Sequence, residues 1–71
     1  MSKIWVDFNN MGVDGVRLNC NGTLEDIDDK GIVLTQGLKL TIWFEDLSAE
    51  STVMYSSVDN CWVAQINNKN W

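Results

Sequence analysis

The amino-acid sequence predicts a mostly-β domain: a five-stranded, strongly bent antiparallel sheet that closes toward a small, partly open barrel, with one short helix at about residues 24–30. Three observations carry this prediction. Several segments alternate apolar and polar side chains with period two, the spacing of half-buried strands. Clusters of Asn, Asp and Gly punctuate them as turns. Leu24 and Ile27 interrupt the alternation at a helical spacing of three. The 71 residues leave room for one domain, assigned to 1–66 with a tail at 67–71. Strands this short must bend together to leave little unprotected edge.

The elements follow in order. Residues 3–8 place Ile4, Val6 and Phe8 on one face and Lys3, Trp5 and Asp7 on the other. Asn9 to Gly12 and Asp14–Gly15 break the pattern, and residues 16–20 resume it with Val16, Leu18 and Cys20 inward. These two strands are expected to pair as a hairpin across a loop of roughly half a dozen residues. Asn21–Gly22 has the composition of a hairpin turn, but the Leu24–Ile27 spacing favours a helix over 24–30. Thr23 would cap it, with Asp26 reaching back in a weak capping box. Glu25 and Asp26 then lie where the helix dipole favours negative charge, Lys30 lies in the last turn, and Gly31 takes the left-handed position after it. After the turn at Gln36–Gly37, residues 38–44 form the clearest strand, with Leu38, Leu40, Ile42 and Phe44 on one face. Residues 45–51 are polar and acidic and are expected to be a loop. Residues 52–55, with Val53 and Tyr55 on one face, and residues 61–66 complete a three-strand meander around a turn at 57–60.

The charge pattern excludes several functions. Five basic and ten acidic side chains give a net charge of −5. Lys3, Arg17, Lys30, Lys39 and Lys69 are scattered, so no basic cluster neutralises phosphates and nucleic acid is not an expected partner. Anionic membrane surfaces repel the chain, and no apolar run approaches the ~20 residues of a membrane span. No apolar leader follows Met1–Ser2–Lys3, so the expected location is the cytoplasm, with Cys20 and Cys61 reduced and packed as small hydrophobes.

Catalysis lacks its usual parts. The chain has no histidine, and a Ser or Cys nucleophile needs a base beside it. Two distant cysteines give no zinc spacing. The carboxylates at 25–29 and 45–50 fall on solvated faces rather than in a cleft. A calcium-loop reading of residues 26–37 puts Lys30 and Gly37 where ligands belong. The expectation is therefore a protein that is not an enzyme and holds no cofactor or metal.

The four tryptophans are the sharpest feature. Trp62 shares parity with Ala64 and Ile66 and is expected in the core, its indole N–H needing a partner. Trp5, between Lys3 and Asp7, and Trp43, between Thr41 and Glu45, have the opposite parity, as does Met54. Neighbouring strands would join Trp5, Trp43 and Met54 into an apolar patch on the outer sheet surface, with Trp71 free to cap it or to meet a partner. Exposed patches of this kind mark interfaces, and Trp dominates binding hot spots. The alternative is that the helix or the tail folds over the patch as a second small core. Either outcome adds burial to a core that alone supplies only about 3–5 kcal/mol.

The segments WVDFNN, RLNCNGTLEDI and CWVAQI resemble those of a family of short uncharacterised bacterial proteins, and the likeness covers most of the chain. It implies a helix after GTLED but no activity, and Asp28–Asp29 and the Asn-rich tail depart from it. Residues 36–66 also look like small SH3-like barrels, a likeness of fold that implies no function. The leading expectation is a non-enzymatic module that presents Trp5, Trp43, Met54 and Trp71 to a protein partner or to a second copy as a homo-oligomer. The alternative is an acidic decoy that binds a basic protein surface through Glu25, Asp26, Asp28, Asp29, Glu45, Asp46 and Glu50. A weaker alternative is a barrel that holds an aromatic metabolite between tryptophans.

Overall fold

A computed structural model describes residues 2–67 of the chain. The elements run β1 (Lys3–Trp5), β2 (Val16–Arg17), α1 (Asn21–Asp29), β3 (Lys39–Phe44), β4 (Leu47–Ser56) and β5 (Cys61–Ile66). They form one five-stranded sheet in the order β1-β3-β4-β5-β2, curled into a half-barrel. The meander β3-β4-β5 is antiparallel throughout, with Ile42 opposite Ala49 and Val53 opposite Ala64. The predicted small bent sheet with one short helix is thus the observed architecture.

Its pairing differs from the expectation at the N-terminal end. Residues 3–8 and 16–20 do not form a hairpin. β1 lies parallel to β3, Ile4 opposite Ile42 and Trp5 opposite Trp43, so the sheet is mixed rather than purely antiparallel. β2 pairs with β5, Val16 opposite Ala64. Period-two alternation says which face a side chain takes but not which strand lies alongside. The segment after β1 explains the geometry. The Val6 N–H still donates to the Trp43 carbonyl at 3.0 Å. Four residues later the Asn10 carbonyl accepts the Arg17 N–H at 3.0 Å, and Met11 bridges to Val16. One continuous stretch, residues 3–11, therefore borders both ends of the sheet and draws the curl together.

The concave face carries the core. Ile4, Val6, Val16, Leu18, Leu40, Ile42, Val53 and Ala64 are buried together, and Ile27 enters from the helix. Phe8, Ile32, Leu34, Leu38 and Trp62 pack around them, so the inward parity of Trp62 holds. Its ring meets Tyr55 edge to face with centroids 5.4 Å apart.

The helix begins three residues earlier than expected. Cys20 is the N-cap and makes no side-chain capping bond, which leaves Thr23 inside the first turn rather than capping it. The first turn holds no acidic residue and the last turn no basic one. Lys30 is the C-cap, and Gly31, at φ +63°, takes the left-handed position that favours glycine. The sequence of Asp26 and Lys30 has a use that spacing alone did not disclose. Asp26 Oδ2 accepts the Trp5 N–H at 2.8 Å, and Lys30 Nζ donates to the Lys3 carbonyl. The two side chains also pair at 3.2 Å. The helix thus occupies the free edge of β1, a position that would otherwise invite another strand.

Thr23 is fully buried, and its Oγ1 has no hydrogen-bond partner among the described residues. A buried hydroxyl without a partner carries its full desolvation cost, and an isosteric methyl does not. Thr23→Val is expected to raise stability by about 1 kcal/mol, read as a rise in Tm of about 4–8 °C. An unchanged or lower Tm would show that the hydroxyl is satisfied.

The expected acidic loop at 45–51 is mostly strand. Only Glu45 and Asp46 turn the chain, and β4 starts at Leu47. Asn67 follows β5 and donates its N–H to the Glu50 carbonyl at 3.0 Å. The rest of the tail assigned to 67–71, including Trp71, lies outside the described residues. Among the described residues no helix is long and apolar enough to cross a membrane.

Candidate protein-binding surface

The convex face of the sheet is set by the register. Lys3 and Trp5 on β1 stand beside Thr41 and Trp43 on β3, which in turn face Glu50 and Ser48 on β4. Alternation along β3 sends Leu40 and Ile42 inward and so turns Lys39, Thr41 and Trp43 outward. Trp43 is half-buried at this surface. The Lys3 ammonium lies 6.0 Å from its ring centroid, at the outer limit of a cation–π contact. Lys39 Nζ donates to Thr52 Oγ1 at 2.8 Å on the same face.

The predicted residues are brought together only in part. Trp5 and Trp43 are direct register neighbours, but Trp5 does not lie open beside it. Its ring meets Phe44 at 6.0 Å, and Phe44 meets Phe8 at 5.9 Å. A Cβ placed on Gly22 would lie 2.9 Å from the Trp5 ring, so the helix's first turn sits against the indole. The Trp5 ring is therefore packed between Phe44 and the start of α1. Met54 is not part of this patch. Trp43 stands opposite Ser48, and Met54 lies six residues along β4, about 20 Å away at 3.3 Å per residue. It stands opposite Val63 instead. Trp71 lies outside the described residues.

A second cluster escaped sequence reasoning because its members are far apart in the chain. Arg17 Nε lies 3.5 Å from Asp59 Oδ1, and Arg17 Nη1 donates to Asn10 Oδ1 at 3.1 Å. Asp59 Oδ2 accepts the Val13 N–H at 3.3 Å, and Ser56 Oγ donates to Asp14 Oδ2 at 2.6 Å. These contacts hold residues 10–15 against the 57–60 turn, with Val13 and Val58 left exposed. A cleft of about 490 Å³ opens between Met11–Gly15 and Gln65–Ile66. Among the described residues no tryptophan lines it.

Chemically, the convex face offers an indole, two ammonium groups, the Glu50 carboxylate and hydroxyls. Cys20 and Cys61 are free and half-buried, less covered than small core hydrophobes. Cys20 Sγ accepts the Asn10 side-chain N–H at 3.1 Å. Among the described residues no group of three or more Cys, Asp or Glu is placed to hold a metal ion. No protein-family model matches the chain, and neither a curated protein nor a solved structure does.

Proposed function

We propose that the chain is a non-enzymatic protein-binding or self-assembly module, cytoplasmic as the sequence suggests, whose contact surface is the convex face around Trp43. The observation that carries the reading is the position of Trp43 on the outward side of β3, half-exposed and with Trp5 as its register neighbour on β1. An indole held on a strand is a rigid anchor with large contact area and little rotamer entropy to lose. The core is already closed on the other side of the sheet, so the fold does not need Trp43 inward.

Trp43→Ser is expected to weaken association at least about 30-fold, the effect of losing a Trp hot spot. The far-ultraviolet circular dichroism spectrum should stay unchanged. Sedimentation of both proteins over a concentration series reads the first effect. A variant that unfolds, or one that associates as the wild type does, overturns the reading.

The acidic-decoy reading has one specific support: Glu25, Asp28 and Asp29 lie exposed on the outer side of α1. Asp28 and Asp29 sit at the C-terminal end of the helix, where the dipole disfavours negative charge. Binding of a basic protein through them would weaken steeply with salt, whereas contact through Trp43 alone would not.

A further inference from the structure

The protein divides its charge in a way that net charge conceals. Arg17 is paired with Asp59 and Lys30 with Asp26. Lys3 and Lys39 enter no ion pair among the described residues, and both stand on the convex face around Trp43. Glu50, opposite Thr41, is exposed on that face as well. The helix shows the reverse. Its outer side carries Glu25, Asp28 and Asp29, with Leu24 48% exposed among them. Lys30 does not offset them, because Asp26 and the Lys3 carbonyl already hold its ammonium.

Resting on the binding-module reading, we propose that the partner of the Trp43 face is a second copy of this chain, docked through the acidic outer side of α1. Each surface has an apolar residue, Trp43 in one and Leu24 in the other; Lys3 and Lys39 stand beside the first together with Glu50, and Glu25, Asp28 and Asp29 surround the second. Their dimensions agree. A nine-residue helix is about 13 Å long, and Lys39 to Trp43 spans about 13 Å of strand. Lys3 and Lys39 are about 8 Å apart across adjacent strands, close to the roughly 6 Å between Glu25 and Asp29 one helical turn apart. Because every copy carries both surfaces, a two-fold arrangement makes the contact twice and closes at the dimer.

The placement also gives a use to charges that local rules disfavour. Carboxylates in the last turn of a helix oppose its dipole, and Glu25 and Asp29 repel each other at i,i+4. Lysines from a second copy would relieve both effects. Departures from local consistency without a gain inside the monomer are expected at functional surfaces.

A charge-swap experiment tests the proposal on the full chain. Sedimentation equilibrium of the wild type at low salt should show a dimer whose dissociation constant rises steeply as salt is added. Lys3→Glu with Lys39→Glu, and separately Glu25→Lys with Asp28→Lys and Asp29→Lys, should each weaken the dimer about tenfold. Mixing the two variants should restore a heterodimer, since both face-to-helix contacts are again between opposite charges, one reversed and one as in the wild type. Circular dichroism of each variant verifies the fold. A wild type that stays monomeric at high concentration overturns the proposal. Failure of the mixture to associate does the same, as does a dimer indifferent to both sets of substitutions. In that last case, loss of the dimer in Trp43→Ser would leave the binding-module reading standing while the helix is rejected as the partner surface.

Discussion

Ile42→Ala is expected to unfold the domain. Ile42 is fully buried at the centre of the concave face, flanked by Ile4 on β1 and Ala49 on β4. It joins the parallel half of the sheet to the meander. Truncating a buried isoleucine to alanine costs about 2–5 kcal/mol, the lost transfer energy plus the cavity left behind. A core of this size supplies about 3–5 kcal/mol in all, so the single change consumes most or all of it. The far-ultraviolet spectrum at 25 °C should lose its sheet signature, and urea should produce no cooperative transition. A cooperative transition with Tm lowered by less than about 4 °C would mean a loss below 1 kcal/mol, and the core would not be the one described.

Gly15→Ala has the next largest expected effect, for a different reason. Gly15 has φ +156°, a conformation that side chains disfavour. A Cβ there would lie 2.5 Å from the Ala64 carbonyl oxygen and 3.1 Å from Gln65 Cα. Those are backbone atoms of β5, so relief requires β2 to lift from β5, its neighbour in the sheet. β2 has two residues, and losing β5 leaves it the Asn10–Arg17 bond, the Met11 bridge and the Arg17–Asp59 ion pair. Lifting it exposes Val16 and Leu18, both buried, so a loss of about 3 kcal/mol or more follows from strain plus lost burial. Gly31→Ala is the control: φ is +63° but nothing lies within 4 Å of the added methyl, and the left-handed conformation alone costs about 1–2 kcal/mol. Urea midpoints of the two variants separate the cases. Equal losses would contradict the close approach of Gly15 to β5.

These two positions show what was legible in the sequence and why the rest was not. Ile42 was legible because alternation along residues 38–44 is unbroken, and the same rule placed Val53, Ala64 and Trp62 inward. The helix was legible from the Leu24–Ile27 spacing and from Gly31. Its start was not, because Cys20 caps it with backbone alone and Asn21–Gly22 carries the composition of a turn. The beginning of β4 was hidden by its turn. Glu45 takes φ +54°, whereas two-residue hairpins usually signal themselves with Asn or Gly. The parallel pairing of β1 with β3 was hidden for a topological reason. Strand neighbours in sequence usually pair in space, but here residues 6–15 carry the chain from one edge of the sheet to the other.

The surface was legible to the same degree. Parity put Trp5 and Trp43 on the convex side, and the register makes them neighbours. Parity along a strand does not measure how far strands are offset, so Met54 was assigned to a patch it does not reach. Nor does it show that the Trp5 ring is backed by Phe44 and the helix's first turn. The surface that remains is smaller than the predicted one and centred on Trp43.

As the proposed contact surface, the convex face must depend on the Trp43 indole to be covered. Sedimentation equilibrium of the wild-type chain beside Trp43→Ser, at matched concentrations and with the fold verified by circular dichroism, tests it most directly. The wild type should associate and the variant should remain a folded monomer. A folded variant that associates as tightly as the wild type would contradict the role of this surface.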